Sequence, residues 1–130
     1  IYTLPSEAQW EFACRAGETG PYSGGEMDGV GWCKDNSEGK THEVGRKRSN
    51  AWGLHDMHGN VKEWCLDWFG ESLTGGKDPQ GPADGESRVF KGGGCVNIAL
   101  DCRSAERRGY VPSKSDGFDL GFRVCLSRAR

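Results

Sequence analysis

Apolar residues fall into a few short, sharply patterned stretches of this chain, separated by long polar and glycine-rich ones. Leu4-Pro5-Ser6-Glu7-Ala8-Gln9-Trp10 carries a helix start: Ser6 can accept from the backbone N–H of Gln9 while the Gln9 side chain reaches back to Ser6. The helix is expected to run to about Arg15, with Trp10, Ala13 and Cys14 on one face at i, i+3 and i+4, and Gly17 closing it. From Gly17 to Asn50 the pattern is that of a loop anchored by Tyr22, Val30, Trp32 and Val44. Gly59-Asn60 reads as a turn. After it, Val61, Glu63, Cys65 and Asp67 alternate with Lys62, Trp64, Leu66 and Trp68 in the period of a strand that ends near Phe69. Gly75-Gly76, Asp78-Pro79 and Asp84-Gly85 make residues 70–87 another loop. Arg88–Lys91 and residues 121–126 read as further strands. The roughly thirty residues between them have little periodicity, with Ala99, Ala105 and Phe118 as expected anchors, and a loop of that length inside a compact domain is usually functional.

A length of 130 residues suits one domain with one core. No apolar run approaches the eighteen or so residues that cross a bilayer. The start, Ile1-Tyr2-Thr3-Leu4-Pro5, has no basic and apolar leader, so any signal peptide is absent or was removed with upstream sequence. The 21 glycines are scattered, which excludes a collagen-like repeat and agrees with much irregular loop. Residues 88–130 carry a formal charge of +5 and residues 1–87 one of −7, within a total of −2. The basic residues of the second part are interspersed with glycine, serine and acids, and the pI of about 5.9 lacks the footprint of a nucleic-acid binder.

Six cysteines, at 14, 33, 65, 95, 102 and 125, form no CxxC pair and no Cys/His grouping with zinc spacing. Their even number suits disulfides in an oxidising compartment, and it equally suits buried thiols. His55 and His58 have two residues between them, but no carboxylate completes a recognisable metal triad, and they are expected to serve as surface or hydrogen-bonding histidines. No phosphate-cradling loop or nucleophile elbow is present.

Five blocks occur in an order that resembles the formylglycine-generating-enzyme (sulfatase-modifying factor) family: residues 4–13, residues 50–57, Gly59-Asn60-Val61-Lys62-Glu63-Trp64, residues 88–93, and Arg103-Ser104-Ala105-Glu106-Arg107 running on to Gly121-Phe122-Arg123-Val124. The resemblance covers essentially the whole chain. It implies an α+β, C-type-lectin-like fold of the formylglycine-generating-enzyme subtype, with short twisted antiparallel strands, few helices and long ordered loops. Family members carry a further strand and helix ahead of the first block, so residues 1–130 read as a single trimmed or minimal domain.

The activity that names the family is oxidation of a substrate cysteine by oxygen with Cu(I) on two thiolates, soft ligands that Cu(I) prefers. Those cysteines have four residues between them in the enzymes. Cys95 and Cys102 have six between them, Cys95 directly follows Gly94, and Cys102 crowds the Arg103–Arg107 block. The pair therefore departs from the catalytic pattern, and a disulfide or simple packing is expected instead. The resemblance also implies calcium near the Gly-Asn block, for which Asn60 and Glu63 offer hard oxygen ligands. Alternatively Asn60 fixes the turn and Glu63 pairs with Arg123 or Arg107. No cofactor is required by either reading.

One branch of the family, the variable proteins of diversity-generating retroelements, is non-catalytic and displays diversified side chains on a rigid scaffold. Carried over position by position, its asparagine-type sites fall on Val96, Asn97, Ile98, Asp101, Glu106, Arg108, Tyr110, Val111, Asp116, Phe118 and Asp119. The mixture of apolar anchors with charged groups suits an antibody-like face, although Ile98 and Phe118 could equally fill a core. The expected function is a ligand-binding domain whose variable surface spans residues 95–120, with a protein or other macromolecular ligand and no nucleic-acid partner. A cell-surface or extracytoplasmic setting suits that role. The alternatives are a copper-dependent oxidase and an invariant accessory member of the same family.

Overall fold

A computed structural model describes residues 1–73, 75–114 and 117–128 of the chain. Its longest helix, α1 (Glu7–Arg15), begins with the reciprocal cap read from the sequence. Ser6 Oγ accepts from Gln9 N at 3.2 Å, and Gln9 Oε1 accepts from Ser6 N at 3.0 Å. Ala16, in the left-handed region at φ 47°, ends it by donating its N–H to Phe12 O. The buried face is Glu7, Trp10 and Cys14. Ala13 lies only partly buried, and Glu7 takes the place expected of an apolar residue because its charge is met by an arginine from across the sheet.

The main sheet has four strands in the order β4-β3-β2-β5: β2 (Lys62–Trp68), β3 (Arg88–Lys91), β4 (Arg107–Tyr110) and β5 (Leu120–Gly121). β2 follows the predicted alternation, with Glu63, Cys65 and Asp67 buried. β2 pairs antiparallel with β3, and β3 with β4, in a register that sets Phe90 opposite both Trp64 and Arg108. β5 runs parallel to β2, Lys62 beside Leu120. A separate antiparallel pair joins β1 (Tyr2–Thr3) to β6 (Cys125–Leu126).

The expected single strand over 121–126 is thus two short ones. Between them Arg123 turns inward, Nε to Glu63 Oε1 at 2.5 Å and Nη2 to His55 O at 2.9 Å. That draws the backbone out of the first ladder before it joins the second. Within the loop expected over 17–50 lies a one-turn helix, α2 (Met27–Val30). Val44, an expected anchor, is exposed, as are Ala105 and Phe118 in the later loop.

The core is small and rich in sulfur. Trp10, Cys14, Met57, Cys65 and Val89 form one cluster, with Leu54 and Phe69 packed against it. Met27, Cys33 and Cys102 form a second under Tyr22 and Ala99. All six thiols are free and five of them are buried. Glycine packs closely against both clusters: a Cβ at Gly92 (φ +93°) would lie 3.1 Å from the Trp10 ring and one at Gly93 (φ +67°) 2.6 Å from Cys102 Sγ.

Candidate functional site

Residues 92–104 leave β3 and are fastened to the rest of the molecule at Gly92, Cys95, Asn97, Ala99, Cys102 and Ser104. Gly92 O accepts from Gly59 N at 2.7 Å, and Cys95 N donates to Asn60 O at 2.9 Å. Ser37 Oγ donates to Cys95 O at 2.6 Å, and Lys34 N to Asn97 O at 2.8 Å. A 3-10 turn over Ala99–Cys102 follows, gripped by Tyr22 Oη on Ala99 O at 2.6 Å. Ser104 N then donates to Pro21 O at 2.8 Å. Cys102 O receives Nδ1–H of His58 at 2.7 Å, and the same ring accepts from Ser23 N at Nε2, which fixes the tautomer. Burial first of all holds the His58 pKa below its ordinary value. His58 is thereby a buried hydrogen-bonding histidine, while His55 is exposed with Nδ1 on Lys47 O.

While this backbone is anchored, its side chains turn outward. Val96, Ile98, Tyr110 and Phe118 are 44%, 48%, 45% and 64% exposed. The Arg108 side chain is also exposed, and Asn97, Asp101, Glu106 and Val111 are partly so. Asp119 stands apart: it is buried and paired with Lys62 at 3.3 Å. Asp116 lies outside the described residues. Charged groups on the face are cross-linked, Glu106 to Arg103 at 2.8 Å and to Arg108 at 3.0 Å, and Asp101 to Arg108 at 3.4 Å. Asn97 holds its own loop, Oδ1 accepting from Gly94 N at 2.8 Å.

The sheet contributes residues that the motif comparison misses. Lys62 from β2 and Phe90 from β3 lie on the side of the sheet away from α1. With Asn97, Asp101, Glu106 and Arg108 they wall a pocket of about 230 Å³. Lys62 Nζ sits 5.7 Å from the Phe90 ring centre, and Trp64 meets Phe90 edge-on at 6.1 Å. The strand alternation already put Lys62 and Trp64 on one side. Only the fold brings that side beside residues 97–108. Leu100, 56% exposed, also joins the face.

Cys95 and Cys102 are both fully buried free thiols. Burial pushes the Cys102 thiol up to about 12 and raises that of Cys95 as well. Cys102 Sγ faces Ile98 O at 3.6 Å, and Gly93 is pressed against it so closely that a Cβ there would lie 2.6 Å from the sulfur. Packing, not a disulfide, accounts for the pair.

The oxygens first considered for calcium have protein partners. Asn60 Oδ1 accepts from His42 N at 2.8 Å, and Glu63 accepts from Trp10 Nε1 at 3.1 Å and from Arg123. Glu63 therefore pairs with Arg123, while Arg107 pairs with Glu7. Burial first of all raises the Glu63 pKa, and the charge of Asp56 adds to the rise. Asp56 itself is buried, with Oδ2 accepting from Gly45 N at 2.8 Å and Oδ1 without a hydrogen-bond partner among the described residues. These residues do not fit a hard cation: both Glu63 oxygens are taken by Trp10 and Arg123, the Asn60 amide is closed by hydrogen bonds on both ends, and no group of three or more His, Cys, Asp or Glu that could hold a metal ion occurs among the described residues.

Residues 1–128 match the sulfatase-modifying factor enzyme 1-like domain. Among solved structures, Treponema denticola variable protein 1 superposes with a TM-score of 0.89 at 41% identity, over 95% of this chain and 46% of that one. A formylglycine-generating enzyme from Streptomyces coelicolor is 37% identical over 92% of this chain and 45% of its own length. The serine/threonine-protein kinase pkn1 of Chlamydia caviae is 38% identical over 92% of this chain and 20% of its own. The chain thus spans less than half the length of each of these relatives.

Proposed function

This chain belongs to the sulfatase-modifying factor enzyme 1-like domain family, and within it we propose that the chain is a non-catalytic ligand-binding domain that presents residues 95–120 as a variable receptor face. The observation that carries this reading is the division between backbone and side chain. Main-chain atoms of Gly92, Cys95, Asn97, Ala99, Cys102 and Ser104 are bonded to other parts of the fold, while apolar and charged side chains from the same stretch point out. Such an arrangement lets side chains differ without loss of the scaffold, and it mixes anchors with polar specificity groups. Likeness to a variable protein supports it. Relatives named as a formylglycine-generating enzyme and as a serine/threonine-protein kinase make family membership alone a poor guide to activity.

The alternative of a copper-dependent oxidase would need two accessible thiolates, and the burial of Cys95 and Cys102 speaks against it.

Sequencing of the genomic locus tests the variable-face reading. It is expected to contain a reverse-transcriptase gene and an adenine-rich near-repeat of codons 94–125. A locus without that repeat would remove the diversification part of the reading.

A further inference from the structure

We propose that Lys62 is the constant ligand contact of this face, and that the pocket beside it receives an aspartate or glutamate side chain from a protein partner. This rests on the receptor reading above and adds the chemistry of what is bound.

Size comes first. Pockets that enclose whole small molecules run from about 300 to 1,000 Å³. At about 230 Å³ this one falls short of that range and suits a single side chain inserted from a larger partner.

Charge then selects the side chain. Among the ionised groups in the wall, Asp101 and Glu106 are already engaged by arginines, Asp101 by Arg108 and Glu106 by Arg103 and Arg108. Lys91 is fully buried and turned inward, Nζ donating to Glu11 Oε1 at 2.9 Å and to Ser104 O at 2.9 Å. Lys62 differs. Its ammonium has three donors, and its ion-pair partner among the described residues is Asp119 at 3.3 Å. That is longer than the roughly 2.7–2.9 Å of a strong charge-assisted bond. The side chain is 23% exposed, so the remaining donors are open to a ligand carboxylate. Asp119, nearly buried, and the Phe90 ring hold the ammonium at the pocket. Lys62 also sits on β2, one of the two strands hydrogen-bonded on both sides within the sheet, which gives it a rigid mount.

Panning a phage-displayed random peptide library against the immobilised chain tests this. Recovered peptides are expected to carry Asp or Glu at one recurring position. Changing that acid to its amide should weaken binding roughly tenfold to a hundredfold, the scale of a hydrogen bond to a charged group. Lys62→Met, checked for an unaltered melting temperature, should give the same loss, while the acid-to-amide swap needs no variant protein at all. Peptides that lose affinity on Ile98→Ala/Tyr110→Ala yet keep it on Lys62→Met, or that carry Lys or Arg at the recurring position, would overturn the assignment and leave the receptor reading standing. Peptides indifferent to all these substitutions, or the recovery of none, would overturn both.

Discussion

Arg107 on β4 forks onto Glu7 in the first turn of α1, Nε to one carboxylate oxygen and Nη2 to the other at 2.9 Å, across 100 residues of sequence. Both side chains are nearly out of water, at 16% and 9% exposure. Arg107 also donates to Gly70 O at 2.6 Å and lies over the Phe69 ring at 4.5 Å. The pair ties the helix to the strand that carries Arg108 and Tyr110.

Breaking one half of that pair leaves the other charge buried. Glu7→Gln or Arg107→Met is expected to cost about 3–5 kcal/mol, read as a shifted urea midpoint at unchanged slope. Replacing both residues together should cost less than the sum of the two single changes, because no lone charge then remains. A cost well below 1 kcal/mol for either single change would contradict this account.

Gly93 is a close-packed point of the loop. At φ +67° and with Cys102 Sγ 2.6 Å from where a Cβ would sit, Gly93→Ala is expected to destabilise by at least about 2 kcal/mol. Adding Cys102→Ala should recover part of that loss, which calorimetry on the two single variants and the double variant would measure.

The outward positions should be nearly silent in folding. Ile98→Ala, Tyr110→Ala and Phe118→Ala are expected to change stability by no more than about 0.5 kcal/mol each. Met57→Ala, in the core at 2% exposure, should cost about 2–5 kcal/mol. Equal losses in the two groups would mean that the face is structural and not a receptor.

Acid should loosen the loop through His58. Its folded pKa lies below its ordinary value of 6.5, so below that pH the unfolded chain binds a proton that the folded chain refuses. Stability is complete above pH 6.5 and declines as pH falls, by at most about 1.4 kcal/mol per pH unit for this one group. Urea midpoints at pH 7.5 and 5.5 should differ more for the parent chain than for His58→Gln, which cannot take up the proton.

What could be read from residues alone was whatever depends on near neighbours. The Ser6/Gln9 cap, the alternation of β2 and the five motif blocks are local patterns, since a cap spans one helical turn and a strand's two sides follow from a period of two. They sufficed for the α+β class and the family. What they could not supply was the company each residue keeps across the fold. Glu63 had two arginines to choose between, and the structure gave it Arg123 and gave Arg107 to Glu7. Cys95 and Cys102 could have bonded or packed, and burial decided for packing. Ile98 and Phe118 could have been core, yet Cys102, which faces the Ile98 carbonyl, and Asp119, next to Phe118 in the chain, took the interior and left them outside. Lys62 joins the face only because two strands and a long loop meet there. Pairings separated by sixty or a hundred residues depend on how elements stack in three dimensions, and a linear pattern carries no record of that.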